Sequence, residues 1–289
     1  MGERVVVSVD EKETRRQRDL ERLERFRVLD DTFMRQVFKD NLPLAQHVLR
    51  IITGIKDLVL VREDTQHDLK RLAGSHSVAL DVWGEDPWGN QYDLEVQCGS
   101  DLDPKRFRYY GSSMDIESLL SSQKYSELPM RWLVVVLEKD PEGAGRALRH
   151  YQMREAGGKE LCDGAHLLYA NAQWRGDDEL GLLMADFCES DPDKIHDRLL
   201  RERVQYLKRS DEGRDRMCRI SDEIYNEGLE QGLERGLEQG LEQGLEQGAR
   251  DKLVENVRAL MESVGWTAQQ ALDKLGVPES ERASILPML

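Results

Sequence analysis

The sequence predicts an α/β core built on one mixed sheet and followed by a helical C-terminal extension, and three observations predict it. Two alternating seven-residue runs, 77–83 and 91–97, flank the turn-rich segment 84–90. Residues 132–137 form a continuous apolar run of the kind a buried strand shows. Past Asp177 the strand signals stop and helical patterning takes over.

The elements follow in chain order. Residues 11–29 alternate charges of both signs with Leu20, Leu23 and Phe26 at helical spacing, which reads as an amphipathic surface helix. Residues 32–39 carry Phe33, Val37 and Phe38 and begin a second helix. A third runs through Leu44, Val48 and Ile52, with Pro43 suited to its first turn and Gly54 to its stop. Residues 58–61 are a short β-branched strand candidate, and residues 105–120 read as a helix. Residues 165–170 are a further strand candidate, and 194–208 and 212–225 are helical.

Between Gly228 and Gly248 the tetrapeptide Gly-Leu-Glu-Gln recurs, with Arg235 once replacing Gln. A four-residue period overshoots the helical 3.6 by about 40° per repeat, so a Leu stripe from Leu229 to Leu245 winds around a helix and forms no straight seam. Each Gly costs about 1 kcal/mol against Ala in a helix interior. Such a helix is marginal alone, and the repeat reads either as a self-association element or as a low-complexity spacer. Residues 251–264 and 267–275 are helical again, and a last short helix starts at 277–282. The expected organisation is a helical arm over 1–30, a core over 31–210, the repeat-bearing helical segment over 211–250 and a small helical element over 251–289.

Composition bounds the function. No apolar run approaches the ~20 residues that span a bilayer, and the N-terminus opens on Met1-Gly2-Glu3-Arg4 without a leader pattern, so a cytoplasmic protein is expected. Cys98, Cys162, Cys188 and Cys218 lack metal-pair spacing and read as reduced, buried thiols. None of the six histidines shows ligand spacing; His76 and His166, in strand-like stretches, read as core or surface residues. No Gly-rich phosphate loop or nucleophile elbow is present. The net charge of −15 opposes general affinity for nucleic acid. Its distribution matters, since residues 99–175 hold eleven basic and eleven acidic side chains while 176–250 hold eleven and twenty. The acidity is therefore concentrated in the C-terminal third.

The chemistry sits on the hairpin. Alternation puts Ala79, Asp81 and Trp83 on one face of the first strand and Asp93, Glu95 and Gln97 on one face of the second. A hairpin folded about Trp88 pairs residues whose numbers sum to 176, which sets Asp81 opposite Glu95 with β-carbons ~5 Å apart. Like charges at that separation need a cation between them. A hard ion such as Mg²⁺ (or Mn²⁺) would take the two carboxylates, the Val96 backbone carbonyl and water. The Gln97 amide points into the same place and could orient water or a phosphate oxygen. Arg106 and Tyr110, at i and i+4 on the next helix with Arg108 beside them, are the candidate substrate contacts, Arg106 for a phosphate. The plainer alternative is two solvated acids on an exposed sheet face.

Leu80-Asp81-Val82, Asp93-Leu-Glu-Val-Gln97, Lys105-Arg-Phe-Arg-Tyr-Tyr110 and Lys124-Tyr-Ser-Glu-Leu128, followed by an apolar strand, resemble the PD-(D/E)xK nuclease family transposases, or recombination-promoting nucleases. Asp31-Thr-Phe-Met-Arg-Gln-Val-Phe38 resembles the family's opening helix, and the Gly-containing repeat its C-terminal tail. The resemblance covers about residues 31–208. It implies a restriction-endonuclease-like core, a central mixed sheet flanked by helices, and Mg²⁺-dependent DNA endonuclease activity linked to transposition or recombination. By the same resemblance Asp81 and Glu95 are the metal-binding acids, and Gln97 stands where the wider superfamily has lysine. Asp31, with Glu63 in reserve, is the candidate further acid from the opening helix. The rival expectation is a catalytically weak or inactive nuclease-like protein that binds DNA and self-associates through its repeat.

Overall fold

The computed structural model describes residues 9–69, 78–99, 102–119 and 121–289. Residues 1–8 of the expected arm, His76 and Ser77, and the last residue of the expected helix over 105–120 lie outside them. The chain divides into two compact units, Met1–Arg219 and Ile220–Leu289.

The first unit is α/β. Helices α1 (Val9–Arg25), α2 (Asp31–Phe38) and α3 (Leu42–Thr53) precede strands β1 (Arg62–Asp68), β2 (Ala79–Glu85) and β3 (Gln91–Gln97). Helix α4 (Pro104–Ser118), strands β4 (Arg131–Leu137), β5 (Leu148–Tyr151) and β6 (Ala165–Asn171), then helices α5 (Glu179–Cys188) and α6 (Arg198–Arg209) follow. The six strands form one open sheet in the order β1-β2-β3-β4-β6-β5. Strand β4 lies parallel to β3 and β6, and the other neighbours are antiparallel, so the sheet is mixed.

Local chemistry explains the boundaries. Asn41 caps α3 through Leu44 N–H, Pro43 occupies its first turn, and Gly54 closes it in the left-handed region at φ 75°. The hairpin turn is tied by Asp86, whose Oδ1 accepts from the N–H groups of Trp88 and Asn90, while Gly89 supplies the positive φ. The β2–β3 rungs are Val82–Leu94, Trp83–Asp93, Gly84–Tyr92 and Glu85–Gln91. Each sums to 176, as the turn composition requires. Asp103 caps α4 through Lys105 N–H, with Pro104 at its first position.

The core is dense where the sequence is apolar. Phe33, Met34, Val37 and Phe38 of α2, and Val134, Val135 and Val136 of β4, are fully buried. Lys208 of α6 is also fully buried, and its Nζ donates to the carbonyls of Glu24, Phe26 and Ser190. Three acceptors satisfy the three ammonium donors, which is what makes the burial tolerable.

Several expectations are corrected. Residues 58–61 are not a strand; the strand is β1, whose Arg-Glu-Asp-Thr-Gln-His-Asp composition carries no apolar alternation. Strand β5 and helix α5 had no sequence expectation, and α5 lies beyond Asp177, where a strongly apolar Leu-Leu-Met stretch is shorter than a full amphipathic period. Cys98 and Cys162 are exposed, Cys188 is partly exposed and only Cys218 is buried, because the first two sit in connections after β3 and before β6.

The helical stretches expected at 212–225, through the repeat and at 251–264 form one helix, α7 (Asp211–Val264), of 54 residues. In the second unit its last turns pack with α8 (Ala268–Lys274) and α9 (Glu279–Ile285) around Val257, Ala271 and Leu272. Thr267 and Gln270 form a capping box at the start of α8. No described helix is long and apolar enough to cross a membrane.

Candidate functional site

The site is built from three elements that meet at the open end of the hairpin. Strand β3 contributes Asp93, Glu95 and Gln97 on one face, β2 contributes Asp81, and α4 contributes Arg106 and Tyr110. Strand pairing holds β3 rigidly, since Asp93, Glu95 and Gln97 lie in register with Leu133, Val135 and Leu137 of β4. These three β4 residues pack with Phe107 of α4. The helix is thus pinned over the face that carries the acids.

The acids are not solvated. Asp81 is 9% exposed, Glu95 1% and Asp93 0%. The regular ladder between β2 and β3 stops at Val82–Leu94, and Asp81 N–H donates instead to Glu95 Oε1 at 3.0 Å. Leu80 and Trp83, on either side of this point, share one apolar cluster with Met114 of α4.

Burial drives the electrostatics. Desolvation, then the charge of Asp31, raises the Asp81 pKa to about 6, against the opposing pull of Arg35. Desolvation and the neighbouring Asp81 raise Glu95 to about 8. Asp93 is pushed well above the carboxylate range by burial and by Glu95 and Asp81 beside it. Neither oxygen of Asp93 has a hydrogen-bond partner. Three carboxylates packed this way hold together at neutral pH through bound protons or through a cation.

Cationic groups border the cluster. Arg35 Nε donates to Asp81 Oδ1 at 3.2 Å, and its Nη2 bonds Asp31. Arg106 Nη1 donates to Gln97 Oε1 at 3.0 Å, its Nε donates to the Tyr110 hydroxyl at 3.0 Å, and its Nη2 lies 3.8 Å from Glu95 Oε2. Arg106 also stands over the Tyr110 ring, 5.0 Å from its centroid. The Gln97 amide nitrogen donates to the Val96 carbonyl at 2.9 Å.

The structure therefore brings together Asp81, Glu95, Gln97, the Val96 carbonyl, Arg106 and Tyr110, and it joins Asp31 to them through Arg35. Two named residues stand apart. Arg108 is exposed, two positions and about 200° around the helix from Arg106. Glu63 accepts from Asn41 N–H, and no bond links it to the acid cluster. Two residues were missed. Arg35 could have been found from its i,i+4 spacing to Asp31, and Asp93 from its place on the face shared with Glu95 and Gln97.

Comparison with known proteins adds nothing to this geometry. No family model, no curated protein and no solved structure matches the chain. The site must be judged by its own chemistry.

Among the described residues no three or more His, Cys, Asp or Glu side chains are gathered as a ready metal-ligand set. The donor chemistry nonetheless fits a hard cation. Asp81 and Glu95 are oxygen donors whose pKa values are raised first by burial and then by neighbouring negative charge, and the two oxygens of Asp93 lie beside them without hydrogen-bond partners.

Proposed function

We propose that the chain is a Mg²⁺-dependent DNA endonuclease with a restriction-endonuclease-like core, acting in transposition or recombination. The observation that carries this reading is the buried cluster of Asp81, Asp93 and Glu95 with Arg106 at its rim. The motif resemblance over residues 31–208 supplies the substrate class. A structural cluster would not require an exposed arginine and an amide side by side at its mouth.

Asp81, Glu95 and the Val96 carbonyl would hold the metal. When bound, Mg²⁺ supplies Lewis-acid polarisation of a phosphoryl oxygen and eases ionisation of water. The chain's own residues do the rest. Arg106, 45% exposed at its side chain, donates to a phosphate oxygen. Tyr110 fixes the guanidinium from behind through its hydroxyl and ring. Gln97 orients water or phosphate through its amide, and carries no charge with which to stabilise the transition state. Arg35 holds Asp81 in place and bonds Asp31 at the same time, and would partly neutralise Asp81 beside a bound cation.

The test is nicking of supercoiled plasmid by the full chain with Mg²⁺ or Mn²⁺. Asp81→Ala is expected to lower the rate about a hundredfold, the several kcal/mol that a catalytic metal supplies. Equal activity in both proteins, or none in either across several divalent ions, would refute the nuclease.

A second reading rests on the exposed repeat. Leu229, Leu233, Leu237, Leu241 and Leu245 are 60–66% exposed, and a helix that leaves such a stripe in water is a candidate for self-association. In that reading the nuclease-like core is a DNA-binding scaffold.

A further inference from the structure

The turn end of the hairpin carries a cavity that the acid cluster does not use. It has a volume of about 440 Å³, and Arg62, His67, Trp83, Glu85, Trp88 and Glu117 line it. Trp83 is the link to the site, because it pairs across the ladder with Asp93, the orphaned acid beside Glu95. Helix α4 runs along both places: Arg106 borders the acids and Glu117 borders the cavity. Eleven residues of helix separate these two by about 16 Å. That span leaves room for a chain of more than one nucleotide between them.

The walls specify a flat ligand. His67 stacks on Trp83 with ring centroids 4.5 Å apart and planes 13° from parallel, which makes one rigid aromatic surface. Trp88 at the turn is 76% exposed, an unusual position for an indole. The polar groups specify its edge. Trp83 Nε1 and Glu117 Oε2 are both buried and without hydrogen-bond partners. One is a donor and the other an acceptor. A phosphate would be repelled by Glu85 and Glu117, and an alkylammonium or guanidinium would leave the indole N–H unsatisfied. A nucleobase with an exocyclic amino group offers a donor to the carboxylate, an acceptor to the indole and a face for stacking.

We propose that this cavity holds an unpaired, amino-bearing base of the strand whose phosphate lies at Asp81 and Glu95, so that the substrate is single-stranded or locally opened. The source of the strand rests on the nuclease reading. Seating the base requires His67 and Glu117, whose Nε2 and Oε1 lie 3.8 Å apart, to part and uncover the two buried polar atoms.

The experiment is fluorescence anisotropy of labelled deoxycytidine, deoxyadenosine and thymidine homopolymers with the full chain in Ca²⁺. The amino-bearing polymers are expected to bind several-fold tighter than thymidine. Trp88→Ala should weaken them about tenfold, the loss of one stacked base, and Glu117→Gln should narrow the preference. Trp88 is mostly in solvent, so its removal leaves the fold intact, and circular dichroism checks this. Equal binding of all three polymers, indifference to Trp88→Ala, or no binding at all would overturn the proposal. So would an arginine-containing peptide whose binding depends on Trp88 while the polymers bind without preference. Plasmid nicking separates the two ideas. A chain that never cuts but keeps its Trp88-dependent preference loses the nuclease reading alone, and one that cuts without that preference loses the cavity assignment alone.

Discussion

At the scale of single residues, the site is an exchange between desolvation and charge. Arg106 illustrates the exchange, since it contacts Gln97, Tyr110 and Glu95 at once while half of it remains in water. Replacing it by Gln keeps the size and removes the charge. Arg106→Gln is expected to lower kcat/KM on DNA about ten- to hundredfold, the worth of a hydrogen bond to a charged group. Steady-state cleavage at several substrate concentrations checks it. Away from the site, Glu63 is half-buried and its pKa rises to about 7, first by desolvation. Its unfolded value is near 4.3, so the folded chain binds more protons between the two. Its contribution to stability is complete below the unfolded value and is lost as pH rises through 7. Thermal melts of wild type and Glu63→Gln should therefore show wild type losing Tm relative to the variant from pH 4.5 to 7.5. A constant difference across that range would show that Glu63 is ordinary. Of these residues the sequence displayed Asp81, Glu95, Gln97, Arg106 and Tyr110, because strand pairing and i,i+4 spacing are local rules. It did not display the burial of Asp93 or the reach of Arg35, which depend on what packs over the sheet.

At the scale of elements, the hairpin and the repeat helix behave oppositely. The hairpin is specified twice, by its turn and by its apolar backing, and its register is fixed. The repeat helix has only propensity, and its glycines work against it. A Cβ added at Gly228, Gly232, Gly236, Gly240, Gly244 or Gly248 meets nothing within 4 Å, so each site is free to accept Ala. In an isolated helix, Gly236→Ala with Gly240→Ala should add about 2 kcal/mol of helix stability. If copies of the chain pack through this face, the same pair should weaken association, because close helix approach needs the missing methyls. Light scattering of the full chain, the double variant and a chain ending at Tyr225 decides between these outcomes. Self-association through the repeat predicts fewer copies per particle for the shortened chain, and an unchanged number of copies would refute it.

At the scale of the whole molecule, charge would limit how a chain with the proposed function holds DNA. With −15 overall and Arg106 as the proposed phosphate contact, the proposed function implies that few counterions are released on binding. The slope of log affinity against log salt is expected to be shallow, on the order of −2, against about −10 for a protein that tracks the duplex backbone. Titrations at several salt concentrations measure it. A steep slope would mean a basic surface elsewhere that takes the phosphates. The arginines at the acids come from the helices, Arg106 from α4 and Arg35 from α2, and most of the net negative charge lies beyond residue 175.

The sequence by itself determined the hairpin, its 176 register over Val82–Leu94 to Glu85–Gln91, the buried strand β4 and most helices, whereas the expected rung between Asp81 and Glu95 is replaced by a bond from Asp81 N–H to the Glu95 carboxylate. The former are all set by contacts between near neighbours, by periodicity or by turn chemistry. Only the tertiary structure decided that these acids are buried, that Asp93 joins them, and that the polar segment Arg62–Asp68 is a strand. A strand takes its hydrogen bonds from whatever lies beside it, so β1 needed β2 and not its own composition. Burial likewise belongs to the layer above: α4 over the acids turns a polar stripe, which alone reads as solvated, into a cluster short of positive charge.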